Sequence, residues 1–420
     1  MNGSQLSGKR VLVVGLARSG NAAASVLVAQ GAEVVAFDRD EAIEAGRLLE
    51  LGVEVHLGRE EEKLLQGIDL VVKSPGVPGE APLVAGARMR GIPVWGEIEL
   101  GARLLANPIL GVTGTNGKTT TSELLGEVFR AADRPVEVAG NVGRSLTALV
   151  GSVSADAWIV CELSSFQLED VETLRPKIGV LLNLEPDHLD RHGSFDSYAA
   201  AKLRIFECQS SEDTAVVPRG FTPVPGAGRR VEFDASDELP AEPRIPGPHN
   251  RENAAAATAA ARAAGIADDA IAQALRTFVG VPHRIELVRE LRGVRYVNDS
   301  KATNVAAALR ALASFPGSRL HLILGGRGKA EPYAPLAAAL GSGDRAYLIG
   351  EASREIAAAL DSAGVPHVDT DDLGSALAAA ASNATAGDVV LLSPACASFD
   401  QFKDFEARGD AFRRLVEALA

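Results

Sequence analysis

Short runs of aliphatic and β-branched residues alternate with alanine- and leucine-rich stretches along nearly all of this 420-residue chain. A run of four or five apolar residues closed by glycine or an acidic residue marks a strand buried on both faces. Intervening segments of helical period mark the helices that cover it. The pattern predicts an α/β protein with parallel sheets. Near the start, 11–14 reads as a strand, 15–20 as a turn, 21–30 as a helix and 34–37 as a second strand closed by Asp38. A further strand at 70–72 leads into a loop at 73–78, and 93–96 reads as the exit from this region. A second βα pattern opens at 109–111, with strands at 158–161 and 180–183. The stretch 219–248, rich in proline, glycine and charge, has no clear period and is read as loops and short strands on the edge of the second domain. Helices follow at 252–264 and 268–278, then strands at 296–297, 320–324, 346–349 and 389–392. The expected domains are 1–96, 97–280 and 281–420, consistent with domains of about 100–200 residues.

Composition narrows the class. A formal charge of −13 argues against broad nucleic-acid binding, which relies on a basic face. Aromatic residues are 5 %, so the cores must be aliphatic. Cys161, Cys208 and Cys396 are too few and too scattered for a disulfide framework or a CxxC metal site. The N-terminal segment lacks the pattern of a signal peptide, and no apolar run approaches the roughly 18–20 residues of a membrane helix. The expectation is a cytoplasmic protein without membrane or nucleic-acid partners.

The strongest chemical signal is the run GVTGTNGKTTT at 111–121, between a predicted strand and a predicted helix. Glycines there let backbone N–H groups turn toward phosphate, and the following helix N-terminus adds its dipole. Lys118 is placed to reach the β- and γ-phosphates of a nucleotide, and Thr119 to hold Mg²⁺. The strict GxxxxGK[ST] spacing is not met, since Val112 stands at the first glycine position. The turn at Gly15–Gly20 lacks GxGxxG, so an NAD site has little support. Glu162 closes one predicted strand, and Glu185, Asp187 and His188 follow the next. Carboxylates and a histidine at neighbouring strand ends suit a divalent metal facing the phosphate loop. By spacing alone, Lys202 reads as a solvated helix lysine and Asn250 as a helix cap.

The segment TGTNGKTT at 113–120 resembles the ATP signature of the superfamily of Mur ligases and folylpolyglutamate synthases. The motifs NDSKATN at 298–304 and SPACASFDQF at 393–402 resemble the D-glutamate-adding branch of the Mur ligases. The resemblance spans nearly the whole chain. It implies an N-terminal Rossmann-like domain, a central P-loop-type ATPase domain and a C-terminal Rossmann-like domain. It further implies an ATP-dependent ligase that adds D-glutamate to UDP-N-acetylmuramoyl-L-alanine in peptidoglycan precursor synthesis, acting as a monomer on small molecules.

Residue by residue, the resemblance assigns Gly114, Thr115, Asn116, Gly117, Lys118, Thr119, Thr120, Asn250, Asn253, Arg284 and Asp299 to ATP. Two Mg²⁺ ions are implied, held by Thr119, Glu162, His188 and an N-carbamylated Lys202. Ser19, Asp38, Ser74, Asn141 and Ser164 are assigned to the UDP substrate. Lys301, Thr303, Lys329, Ser398 and Phe405 are assigned to D-glutamate. Lys118, His188, Lys202 and Lys301 are the implied catalytic groups. A folylpolyglutamate-synthase-like ligase would share the phosphate loop without needing the first domain or NDSKATN. A non-catalytic nucleotide-binding protein is the other alternative.

Overall fold

The computed structural model describes residues 6–245, 247–328 and 331–419. The chain folds as two compact units, Met1–Phe278 and Val279–Ala420. The first unit contains two sheets. Strands β1 (Arg10–Val14), β2 (Glu33–Asp38), β3 (Glu54–Leu57), β4 (Leu70–Lys73) and β5 (Val94–Gly96) form a parallel sheet in the order β3-β2-β1-β4-β5. This is the doubly wound order, in which the crevice between the carboxyl ends of β1 and β4 is the place for a ligand. The continuous apolar run of β1 is what permits it to lie centrally with both faces covered: Val11, Leu12 and Val13 are fully buried.

Strands β6 (Ile109–Thr113), β7 (Val136–Gly140), β8 (Trp158–Glu162), β9 (Ile178–Leu181), β10 (Thr214–Pro218) and β11 (Arg229–Phe233) form the second parallel sheet, ordered β11-β10-β9-β6-β8-β7. β6 therefore lies between β8 and β9, and the phosphate loop leaves the sheet between the ends of those two strands. The helix Glu97–Leu104 ties the two sheets together through buried carboxylates. Glu97 accepts from the N–H and hydroxyl of Thr147 at 2.6 and 2.7 Å, and Glu99 accepts from the N–H groups of Glu172, Thr173 and Leu174.

The second unit is built on β12 (Glu286–Leu291), β13 (Val294–Asn298), β14 (Leu320–Gly325), β15 (Arg345–Ile349), β16 (His367–Asp369) and β17 (Val389–Leu392), ordered β12-β13-β17-β14-β15-β16. Only β12 is antiparallel to its neighbour among the described strands.

The stretch 219–248 contains β11, a short edge strand of the second sheet as expected, whose outer residues are mostly solvated, so it shows no apolar alternation. Other segments differ from the expectation of the sequence pattern. The helix expected at 252–264 is Pro248–Ala263: Pro248 starts it, Gly247 holds the capping position, and Asn250 lies inside the first turn rather than capping it. The hairpin of β12 and β13 begins with ELVREL, where charge hides the strand period.

Candidate active site

The phosphate loop joins β6 to the helix Lys118–Ala131. Gly117 caps that helix at φ 82°, a left-handed conformation that favours glycine, and a Cβ there would stand 2.2 Å from Oδ1 of Asn253. Two of the residues assigned to ATP, distant in sequence, are thus packed against each other. The ends of the neighbouring strands hold the loop. The N–H of Asn116 donates to Oδ1 of Asn183 at 2.8 Å, and its amide donates to Glu185 at 3.0 Å. The hydroxyl of Thr115 bonds to Tyr198 Oη at 2.9 Å.

Lys118 Nζ donates to the carbonyls of Gly114 and Thr115, both at 2.9 Å. Lys202 Nζ donates to the same Gly114 carbonyl at 2.8 Å, so the two ammonium groups are neighbours. Lys202 is therefore not the solvated helix lysine its spacing suggests; its side chain is buried. Burial first, and Lys118 second, bring its pKa down to about 7, against the opposing pull of Asp187 and Glu162.

Glu162 is paired across from Val112 in the strand that feeds the loop. Its Oε1 accepts from Asn141 Nδ2 at 2.9 Å, while Oε2 is buried with no hydrogen-bond partner among the described residues. A buried carboxylate oxygen without a donor, beside a phosphate loop, suits a cation. Thr119 is buried in the first turn of the helix. His188 is half exposed at φ 50°, its ring 4.9 Å from Phe166 and its N–H held by Asp187. Among the described residues no three His, Cys, Asp or Glu side chains converge as a metal cage. An ion here would depend on phosphate oxygens as well as protein, as Mg²⁺ sites commonly do.

In the first sheet, Asp38 Oδ2 accepts from the N–H of Leu16 at 2.5 Å, and Ser74 Oγ donates to the carbonyl of Gly15 at 2.8 Å. Ser74 follows β4 at the crevice between β1 and β4, Asp38 closes β2 on the other side of β1, and Ser19 lies in the first turn of the helix Arg18–Ala29 that follows β1. Ser164 serves as the cap of the helix Ser165–Leu168, its hydroxyl and N–H both engaged with Gln167 in a capping box that the spacing Ser164-x-x-Gln167 signals in the sequence.

In the second unit the carboxyl ends of β13, β17 and β14 meet. Asp299 accepts from Ser393 Oγ at 2.8 Å and from the N–H of Ile285 at 3.2 Å. His283 and Ile285 both have positive φ, which makes 283–285 a tight turn around Arg284. The N–H of Lys301 donates to the carbonyl of His283 at 3.0 Å, and its Nζ lies 6.0 Å from the centre of the Phe405 ring. The N–H of Thr303 donates to the carbonyl of Lys301 at 2.9 Å within the loop that follows β13, and Ser398 is buried in the loop that follows β17. Lys329 lies outside the described residues. Arg408 escapes sequence reasoning: its guanidinium reaches Ser300 and the carbonyl of Cys396 from the last helix. An arginine on an otherwise amphipathic helix carries no sign of being buried.

Burial pushes the Asp299 carboxyl up to about 7, with Ser393, the Ile285 N–H and Arg284 opposing. An unfolded aspartate titrates near ~3.9. The folded unit therefore holds a proton that the unfolded chain releases between about pH 4 and 7, so this residue's contribution to stability is largest below about pH 4 and declines as pH rises through about 7. Asp299→Asn is expected to flatten the fall in melting temperature between about pH 4 and 7, and equal slopes for both proteins would refute it.

Three successive stretches of the chain match models of one known family. Residues 9–96 match the family described as Mur ligase MurD-like, N-terminal domain; 112–222 match the Mur ligase middle domain; 283–396 match the Mur ligase, glutamate ligase domain. The chain belongs to the Mur ligase family. The UDP-N-acetylmuramoylalanine–D-glutamate ligase of Anaeromyxobacter dehalogenans is 45 % identical over 464 aligned positions, covering 100 % of both chains. That of Acidobacterium capsulatum is 42 % identical over 450, covering 99 % of this chain and 97 % of the relative. The fold also resembles that of the MurF ligase of Thermotoga maritima in complex with ADP, at TM-score 0.59 and 18 % identity over 100 % of this chain and 97 % of that one. E. coli FolC in complex with DHPP and ADP aligns at TM-score 0.54 and 21 % identity over 76 % and 92 %. Among the described residues no helix is long and apolar enough to cross a membrane.

Proposed function

We propose that this chain is an ATP-dependent ligase that joins D-glutamate to UDP-N-acetylmuramoyl-L-alanine. The observation that carries the reading is full-length similarity to ligases of that name, combined with a phosphate loop set between Glu162 and Asn183. The crevice of the first sheet, with Ser19, Asp38 and Ser74, takes the UDP part, and Asn141 and Ser164 lie toward the muramoyl part. The 114–120 loop takes the phosphates, Asn250 and Asn253 the adenine, and Arg284 and Asp299 complete the ATP set. Lys301, Thr303, Lys329, Ser398 and Phe405 take D-glutamate, whose two carboxylates call for cations and hydroxyl donors.

The terminal carboxylate of the muramoyl substrate attacks the γ-phosphorus, ADP leaves, and an acyl phosphate forms. The amine of D-glutamate then attacks the acyl carbon; the amide forms, phosphate departs, and the amine gives up a proton. Lys118 stabilises charge on the transferring phosphoryl group, and the rest of the protein's contribution is positioning. Thr119, Glu162 and His188 would hold Mg²⁺ at two positions, and the ions supply charge neutralisation at the phosphates. The buried Lys202 amine, partly neutral near neutral pH, suits reaction with carbon dioxide to give a carbamate, a carboxylate that would support the second ion.

The test is phosphate release from ATP with UDP-N-acetylmuramoyl-L-alanine plus D-glutamate, L-glutamate or no amino acid. Release that requires the muramoyl substrate and D-glutamate together is expected. Release with a folate and L-glutamate instead would favour the folylpolyglutamate-type reaction, and no release in any mixture would leave a nucleotide-binding protein.

A further inference from the structure

The loop that follows β4, at 74–79, borders the nucleotide crevice, yet two of its backbone carbonyls, those of Val77 and Gly79, are held by cations that pair with carboxylates of the second-sheet region. Lys73 Nζ donates to the carbonyl of Val77 at 3.1 Å, and Arg191 donates to the same carbonyl at 3.4 Å. Arg88 donates to the carbonyl of Gly79 at 3.2 Å. All three cations pair with two consecutive carboxylates just past the helix Ser165–Leu168. Asp170 binds Lys73 and Arg88, each at 2.7 Å, and Glu169 binds Arg191 at 3.4 Å. Lys73 and Asp170 are 1 % and 4 % exposed in their side chains, so this pair is shielded from solvent and from salt.

The backbone around Asp170 and the side chain of Glu169 are held by the segments that carry Lys202 and His188. Arg204 donates to the carbonyls of Glu169 and Val171 from the helix that carries Lys202. Arg191 lies on the short helix that His188 begins, and its guanidinium stacks 4.5 Å over Phe166, the ring that also contacts His188. One dipeptide therefore connects the crevice loop to the segments carrying His188 and Lys202.

We propose that Glu169 and Asp170 are positioning residues that fix the 74–79 loop, and with it the uridine-nucleotide end of the substrate, in register with the phosphate-loop site. The inference rests on the ligase reading above. Neither carboxylate is among the groups assigned to substrate, ATP or metal; their effect passes through Lys73, Arg88 and Arg191. Loss of the Asp170 charge frees the loop without touching the amino-acid site, so it weakens one substrate selectively.

The experiment compares wild type, Asp170→Asn, Glu169→Gln and the double variant Lys73→Met/Asp170→Leu, which replaces the buried pair by apolar side chains and keeps the fold. KM for UDP-N-acetylmuramoyl-L-alanine, ATP and D-glutamate is measured for each, with melting temperature in parallel. Asp170→Asn and the double variant are expected to raise KM for the UDP substrate about tenfold or more, with KM for D-glutamate and kcat within about twofold. Equal KM values for the UDP substrate, or equal changes for all three substrates, would overturn the inference even if stability fell. A wild type that is inactive on these substrates would remove the ligase reading and the inference with it, whereas an active wild type with unaltered variants removes the inference alone.

Discussion

Lys118→Ala is expected to slow phosphate release about 10²- to 10³-fold, with little change in melting temperature. Lys118 stands in the first turn of its helix, and its Nζ is held over the loop by the carbonyls of Gly114 and Thr115. A preorganised cation costs no reorganisation when charge develops on the phosphoryl group, and loss of one such donor typically costs about 10²–10³ in rate. The side chain is only partly buried, so its truncation leaves no large cavity. The substitution has a second consequence, because Lys118 is one of the causes of the lowered Lys202 pKa. Without it, Lys202 regains a proton more readily and less of it is available as a neutral amine. Steady-state phosphate release with all substrates present measures the effect. A loss smaller than about tenfold would place the phosphate-binding charge elsewhere.

Arg408→Ala is expected to destabilise the second unit by about 3 kcal/mol or more, enough to lower its melting temperature by roughly 10 °C. Arg408 is 1 % exposed. Its Nε donates to Ser300 Oγ at 3.0 Å, and Nη2 donates to the carbonyls of Ser300 and Cys396 at 2.9 and 3.1 Å. It thereby clamps the NDSKATN loop to the SPACAS loop. Burial holds its pKa down to about 10, so it remains charged at neutral pH. Truncation leaves two buried carbonyls without donors and a void the length of the side chain. Arg408→Lys keeps the charge but cannot span both loops with one ammonium, so an intermediate loss is expected. Calorimetry separates the outcomes, and a shift below about 2 °C for Arg408→Ala would show that the loops are held by other contacts.

Where motif residues are contiguous, the local structure they build is legible in the chain alone. The loop at 111–121 carries its glycines, lysine and threonine in one short run, and a strand before it and a helix after it are all the context it requires. The strand that ends in Glu162 and the one that leads to His188 are legible for the same reason, since apolar runs buried on both faces announce themselves. In the second unit β13 is legible but its hairpin partner β12 is not, because half of its residues are charged and partly solvated. Asn250 has the character of a capping residue, yet the helix begins earlier than its alanine run suggests. Pro248, pre-set for a first helical turn, starts it instead.

Local period and adjacency in the chain suffice to specify the α/β class and the strand, glycine-rich loop and helix that run through 109–131. They cannot specify which distant groups share one environment. Lys202 and Lys118 lie far apart in sequence and meet at the Gly114 carbonyl. Asp170 gathers Lys73 from the first sheet and Arg88 from a helix that covers it, and Arg408 disappears into the second unit to join two loops. Such pairings come from strand order and from what burial does to a charge. A lysine, an aspartate or an arginine looks the same in sequence whether it is solvated or enclosed, and only packing makes the distinction.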